Sequence, residues 1–228
     1  MESKILKIGH RGAKGHLTEN TLESIKKALS LKVDGIEIDV HRCASGQLVV
    51  FHDFTVDRIT NGTGEVAKHT LKSLKSLKTK GTYQIPSLAE VLALVDNKSL
   101  LNIELKGQDT AKEAARIITF YVDKKGWEYE NILVSSFQEG LLETIHKIND
   151  KIPLAVLTDR NLGRAVEFAK TINAVGIHAD YTMLTEEIVT ELKEEFKVFA
   201  FTVNNLNPLA RIKSYGVDGI ISDYPDRI

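Results

Sequence analysis

The stretch Gly35-Ile36-Glu37-Ile38-Asp39-Val40-His41, followed by the polar turn at Ser45-Gly46 and then by Leu48-Val49-Val50-Phe51-His52-Asp53, decides how this chain is read. A period of two places Ile36, Ile38 and Val40 on one face of a strand and both carboxylates on the other. Two acids side by side on an otherwise apolar strand repel each other and are costly to bury unless a cation or a set of donors holds them. A divalent metal answers that need, and so would arginines or lysines acting as structural partners. The second run ends in His52-Asp53, so a titratable imidazole arrives at a strand end soon after the acids.

Working outward, strand and helix patterns alternate. Lys4 to Gly9 reads as a strand, Asn20 to Leu31 as a helix with Asn20 as N-cap and Glu23 at N3, and Val33 to Val40 as the acidic strand. The segment from Asp53 to Pro86 has no sustained period and contains Asn61-Gly62-Thr63-Gly64, so it reads as an insertion at about residues 53–86. Its lysines Lys72, Lys75, Lys78 and Lys80 read as a solvated face. Alternation then resumes with a capped helix at Ser87 to Val95, a strand at Leu100 to Leu105, and a helix from Asp109 to Lys125 ended by Gly126. Strands follow at Ile132–Ser136, Leu154–Leu157, Ala174–His178, Lys197–Val203 and Val217–Ser222, with helices between them. Eight strands alternating with helices predict an α/β fold, a (β/α)8 TIM barrel made by one domain over residues 1–228. The final helix is nearly absent, and no glycine-rich nucleotide-binding loop follows the first strand.

Composition narrows the function. The 228 residues, 43% of them apolar and 27% charged, suit one large globular domain. Thirty Lys and Arg against 31 Asp and Glu argue against nucleic acid as a partner, so any phosphate recognition is local. The single cysteine, Cys43, excludes an internal disulfide and reads as a turn residue. No run approaches the length of a membrane span, so no stable membrane insertion is expected and the cytoplasm is the expected location.

In a barrel of this type, chemistry gathers at the strand ends. Strand one ends in His10-Arg11, strand two carries Glu37-x-Asp39, the appended ribbon ends in His52-Asp53, and a later strand carries Glu104-x-Lys106. Glu104 arriving in register with Glu37 and Asp39 makes three carboxylates, which suits a hard ion such as Mg2+ or Ca2+. Arg11 and Lys106 offer a planar fork and a point charge for phosphate oxygens, and two imidazoles can divide proton transfer between them. His16, His41, His69, His146 and His178 read as structural, with His178 placed to edge the pocket.

The ordered set His10-Arg11-Gly12, Glu19-Asn20-Thr21, Gly35-x-Glu37-x-Asp39-Val40, Val50-Phe51-His52-Asp53, Arg58-x-Thr60-x-Gly62, Ile85-Pro86-x-Leu88, Glu104-x-Lys106, Ser136-Phe137, Thr202-Val203-Asn204 and Gly216-Val217-Asp218-Gly219-Ile220 resembles the glycerophosphodiester phosphodiesterase family. The resemblance implies metal-dependent hydrolysis of a glycerophosphodiester to glycerol 3-phosphate and an alcohol. It implies Glu37, Asp39 and Glu104 as metal ligands, His10 and His52 as acid and base, and Arg11 and Lys106 as phosphate contacts. Analogy with related barrel phosphodiesterases adds attack by the substrate's own glycerol 2-hydroxyl. The sequence departs from the family pattern at Cys43-Ala44-Ser45-Gly46, in place of Thr-x-Asp-Gly, and at Phe201, in place of Trp. Phe201 remains a candidate pocket wall with a weaker face for a quaternary ammonium. A lysophospholipid-cleaving relative and a catalytically silent barrel that binds phosphate metabolites are the competing readings.

Overall fold

A computed structural model describes residues 4–228. Nine strands are found among them: β1 (Leu6–Gly9), β2 (Gly35–Arg42), β3 (Leu48–Val50), β4 (Leu100–Leu105), β5 (Ile132–Ser136), β6 (Leu154–Thr158), β7 (Gly176–Asp180), β8 (Lys197–Phe201) and β9 (Gly219–Ser222). Eight of these pair in parallel in the order β1-β9-β8-β7-β6-β5-β4-β2, and the pairing of β1 with β2 closes the ring. The eight helices are α1 (Leu22–Ser30), α2 (Leu71–Ser76), α3 (Leu88–Val95), α4 (Thr110–Lys125), α5 (Glu139–Ile148), α6 (Leu162–Thr171), α7 (Glu186–Leu192) and α8 (Leu206–Ser214). The predicted (β/α)8 barrel is therefore what forms, and the chain after β9 makes only a single 3-10 turn at Pro225–Arg227.

Strand register explains the two sorts of core. Ile36, Ile38, Val40, Leu101, Ile103 and Leu105 face outward and join the helices in one large apolar layer. Their neighbours point into the barrel. There the fill is split: Ile8, Phe199 and Ile221 make a small apolar cluster on the β8-β9-β1 side, whereas Glu37, Asn102 and Ser135 occupy the β2-β4-β5 side. A barrel interior filled only by branched apolar residues would need no compensating partners. This one sets Asn102 beside Glu37 and Ser135 beside Glu104 on one wall.

The ribbon predicted after the acidic strand is β3, antiparallel to β2 and outside the ring, with Val40 opposite Val50 and Arg42 opposite Leu48. The inserted segment that follows packs Val56, Ile59, Val66, Leu74 and Ile85 with Cys43, Val49 and Phe51 of the ribbon in a second apolar cluster. It also contains α2, which the sequence reading left as irregular. With only six residues, α2 is less than two turns long, too short for its Leu71 and Leu74 to show a period.

Two helix starts test the local reading. Ser87 caps α3 in a full capping box with Glu90, as expected from Ser87-x-x-Glu90. At α1 the cap is Thr21, whose hydroxyl accepts from the Ser24 amide, and not Asn20 as expected. Asn20 instead adopts a left-handed conformation, φ +58°, and its side chain serves the site described below. Ser87→Ala is expected to lower unfolding stability by about 1 kcal/mol, measured by denaturant titration, while leaving metal binding unchanged.

Candidate active site

The site lies at the C-terminal ends of the barrel strands, in a cavity of about 190 Å3 lined by His10, Arg11, Glu37, His52, Glu104 and Lys106, with Asn102, Phe137, Leu157, Phe201, Thr202 and Ile221 completing its walls and floor. Of the catalytic, metal and substrate candidates named from the sequence, all but Asp39 line it. Parallel pairing of β2 and β4 sets Glu37 beside Asn102 and Asp39 beside Glu104. One carboxylate oxygen from each of Glu37, Asp39 and Glu104 then lies within 4.8 Å of the other two.

The protein satisfies these acids only in part. Glu37 Oε2 accepts the Arg11 backbone N–H at 2.9 Å, while its Oε1 is buried and receives no hydrogen bond. Asp39 Oδ2 accepts from Asn20 Nδ2 at 2.8 Å and lies 3.3 Å from Arg11 Nε, while its Oδ1 is likewise buried and unbonded. Burial and the charges of Asp39 and Glu104 push the Glu37 carboxyl well above its usual range. Burial, then Asp39, does the same to Glu104, although Lys106 Nζ donates to its Oε1 at 2.8 Å. Buried anionic oxygens without donors, all hard in character, fit a divalent cation bound by Glu37, Asp39 and Glu104.

Two imidazoles flank the acids, and each is tethered by a carboxylate. His10 Nδ1 donates to Asp223 Oδ1 at 2.5 Å, leaving Nε2 facing Glu37 Oε2 at 3.9 Å. Asp223 is itself fixed, since Asn204 Oδ1 accepts its backbone N–H at 2.9 Å and Asn204 Nδ2 donates to its Oδ2 at 2.9 Å. His52 Nδ1 donates to Asp53 Oδ1 at 2.7 Å, and its Nε2 accepts from Lys106 Nζ at 3.3 Å. A carboxylate on Nδ1 fixes the proton there, so both rings turn Nε2 toward the cavity, that of His52 against Lys106. Burial lowers the pKa of each histidine, against the raising effect of its carboxylate partner.

Arg11 and Lys106 form the cationic wall. Burial opposes the charge of each, but Asp39, Glu37 and Glu19 outweigh it for Arg11, and Glu104 and Asp39 outweigh it for Lys106, so both stay protonated. Gly12 follows Arg11 at φ +83°, and a Cβ there would lie 2.5 Å from Ser24 Oγ, so only glycine lets the loop after β1 pass this close to α1. Phe201 and Phe137 meet edge to face at the cavity wall, with ring centroids 5.9 Å apart and Lys106 Nζ 6.0 Å from the Phe137 ring.

Of the remaining histidines, His16 bonds Asp226, and His69 bonds Ser73 and the Thr63 carbonyl. His41 is buried, with its Nε2 bonded to the His52 carbonyl at 3.1 Å, which braces the backbone under the catalytic candidate. His178 does not edge the pocket. It is fully buried inside the barrel against Phe199, where desolvation lowers its pKa to about 3. Asp53, Asp223 and Arg58 hold site groups without a role expected from the sequence, and Asn20, expected as a helix cap, bonds Asp39 instead. The available signal for Asp223 is its position immediately after the last strand, on the face where the others gather.

Fold and site together define a class: a TIM barrel whose mouth joins an acid cluster able to hold a metal ion to two tethered imidazoles and a cationic wall. Residues 10–227 match the model of the glycerophosphoryl diester phosphodiesterase family, and the chain belongs to that family. It is 37% identical to a glycerophosphodiester phosphodiesterase of Bacillus altitudinis, over 96% of this chain and 95% of that one. It is 33% identical to one from Caldanaerobacter subterraneus, covering 99% and 96% of the two chains. Among solved structures, a phosphodiesterase of Oleispira antarctica in complex with the product sn-glycerol-3-phosphate superimposes with a TM-score of 0.89 at 29% identity, over 99% of this chain and 95% of that one.

Two outcomes follow from the electrostatics. In EDTA, Glu37→Gln is expected to melt at or above the wild-type temperature, because it relieves repulsion among three buried acids. It should also lose the rise in melting temperature that millimolar-range Mg2+ or Ca2+ gives the wild type. Glu19 responds to pH in the opposite sense from the cluster. Burial raises its pKa, but the hydrogen bond from Arg58 and the charge of Arg11 bring it down from 4.5 to about 2. A depressed carboxylate contributes stability that is complete above its unfolded pKa and is lost as pH falls through the folded value. Acid unfolding followed by circular dichroism should therefore show roughly 3 kcal/mol disappearing between about pH 5 and pH 2, reduced in Glu19→Gln.

Proposed function

We propose that this chain hydrolyses glycerophosphodiesters, such as glycerophosphocholine or glycerophosphoethanolamine, to glycerol 3-phosphate and an alcohol, using His10 and His52 for proton transfer. The supporting observation is the convergence of three carboxylates, two of which keep a buried oxygen without a donor, with two imidazoles each held at Nδ1 by a carboxylate. A barrel kept only for binding phosphate metabolites gains nothing from a second tethered ring. Family membership and the product named for the Oleispira antarctica phosphodiesterase support the same substrate class.

Mg2+ or Ca2+ held by Glu37, Asp39 and Glu104 would neutralise charge on the phosphate oxygens and polarise phosphorus for attack. The protein supplies the rest. Arg11 and Lys106 hold the phosphate against the acid wall, the guanidinium by its fork and the ammonium as a point charge. One imidazole, neutral, takes the proton from the attacking hydroxyl at Nε2; the other, which enters the step as the imidazolium, gives its Nε2 proton to the departing alkoxide and becomes neutral. Asp223 and Asp53 stabilise whichever ring is cationic. In this reading the attacking group is the glycerol 2-hydroxyl. Its oxygen bonds to phosphorus as the alkoxide leaves, giving a five-membered cyclic phosphate. Water then adds at phosphorus and the ring P–O bond opens, with the two rings exchanging roles.

A cavity of about 190 Å3 suits a glycerophosphate group better than an acyl chain, which favours small deacylated substrates over lysophospholipids. Phe201 and Phe137 stand where the alcohol portion would leave. The chain works as one domain in this reading, with the 53–86 segment bracing the site from behind through Asp53 and Arg58, and its free Cys43 suits the cytoplasm.

The test is release of glycerol 3-phosphate from the two diesters with Mg2+, Ca2+ or Mn2+ and its loss in EDTA; absence of turnover with all three metals would sink the proposal. His10→Ala and His52→Ala should each lower kcat by about 10²- to 10⁴-fold with metal-induced stabilisation retained. A substrate lacking the 2-hydroxyl should resist cleavage, and an unchanged rate on it would eliminate internal attack.

A further inference from the structure

The inserted segment contains Arg58-x-Thr60-x-Gly62, and its local structure is a fixed hook. Val56 and Gly64 pair through a backbone hydrogen bond of 2.9 Å, and Asp57 Oδ2 accepts the Gly64 N–H at 3.0 Å. Thr60 Oγ1 donates to the Val56 carbonyl at 2.7 Å and accepts the Gly62 N–H at 3.0 Å. Asn61 bonds Lys78 in both directions, and a Cβ on Gly62 would meet the Leu77 methyls at 2.7 Å and 2.8 Å. Val56 and Ile59 are buried in the second apolar cluster, so the hook is anchored on both sides of Arg58.

Arg58 is thereby delivered to the barrel mouth, where its guanidinium holds two carboxylates at once. Nε and Nη2 donate to Asp53 at 2.5 Å and 3.1 Å, and Nη2 and Nη1 donate to Glu19 at 2.6 Å and 3.2 Å. Each of those carboxylates holds one group of the site. Asp53 Oδ1 accepts from His52 Nδ1 at 2.7 Å, and Glu19 Oε1 accepts from Arg11 Nη1 at 2.7 Å.

Asp53 directly follows His52, and the chain bends over residues 52–54, which lets the Asp53 carboxylate turn back toward the imidazole. For the carboxylate to stay turned back on the imidazole it needs a restraint, and in a side chain that is about one-quarter exposed Arg58 provides it. A lysine could neutralise the two acids but could not span them with a rigid fork.

We infer that Arg58 is a positioning residue: from the inserted segment it clamps Asp53 and Glu19, and so fixes the His52 ring and the Arg11 fork for the reaction. The inference rests on the reading of His52 as a proton-transfer group. It also gives the insertion a task, since the barrel alone supplies His52 and Arg11 but not the group that ties their supports together.

The experiment uses the full chain with Mg2+. Nitrogen-15 spectra of the histidine rings at pH 8, with the His52 signals assigned by their loss in His52→Asn, should show one tautomer in the wild type, protonated on Nδ1. Arg58→Ala should give a mixture of tautomers. On glycerophosphocholine, kcat for Arg58→Ala should fall about 10- to 100-fold, Arg58→Lys should lie between it and the wild type, and added guanidinium should restore part of the Arg58→Ala rate. Asp53→Asn placed on Arg58→Ala should cost less than about threefold more, because the two act in series. Lys68→Ala, whose ammonium pairs with Glu65 on the exposed side of the same segment, should keep the wild-type rate. An unchanged His52 tautomer in both Arg58 variants, or independent, multiplying losses for Arg58 and Asp53, would overturn the inference. The spectra need no turnover, so they judge Arg58 even if the diester proves not to be the substrate.

Discussion

The constraint on which the site depends is mutual repulsion among Glu37, Asp39 and Glu104. Burying three carboxylates whose oxygens approach within 4.8 Å is unfavourable, and the surrounding residues can be understood as responses to it. Arg11 and Lys106 bring positive charge to the edges of the cluster, Asn20 brings neutral donors, and the central oxygens are left without protein partners. Full satisfaction by side chains would have produced a stable salt-bridge network with no capacity for a cation. Incomplete satisfaction keeps that capacity, at a cost to the stability of the metal-free protein.

The two imidazoles use the same physical device reached by different routes. His10 is held by Asp223, 213 positions away in sequence and braced by Asn204, whereas His52 is held by the residue next to it. The first arrangement is built into the barrel and is the more buried. The second relies on the inserted segment for its rigidity, and its ring is the more accessible. Equivalent hydrogen bonds at Nδ1 thus come with unequal mechanical support.

Much of this was legible in the sequence because the relevant physics is local or periodic. Alternation in Ile36-Glu37-Ile38-Asp39-Val40 placed both acids on one face, and the second acidic strand, with Glu104, followed the same rule in register. Ser87 and Glu90 declared a capping box through spacing alone. What escaped was set by tertiary contact. Asn20 has the chemistry of a cap, but Thr21 took that role, and only the approach of β2 shows why the amide turns toward Asp39. Asp223 becomes an anchor because β9 lies beside β1, and Arg58 because an aperiodic loop folds back over the mouth. His178 was misplaced by one step of geometry: its strand runs on to Asp180, so the ring sits within the barrel rather than at its rim.

Ring closure between the first and last strands has a consequence for how this molecule comes into being. β1 is hydrogen-bonded to β2 and β9, and the bond from His10 to Asp223 spans that same seam. A nascent chain lacking its final strand already holds all three acids and both imidazoles, yet β1 has a bare edge and His10 has no anchor. Such long-range pairing is slow to form and leaves an exposed strand edge until it does. Competence therefore arrives late and all at once, when the two ends of the sequence meet.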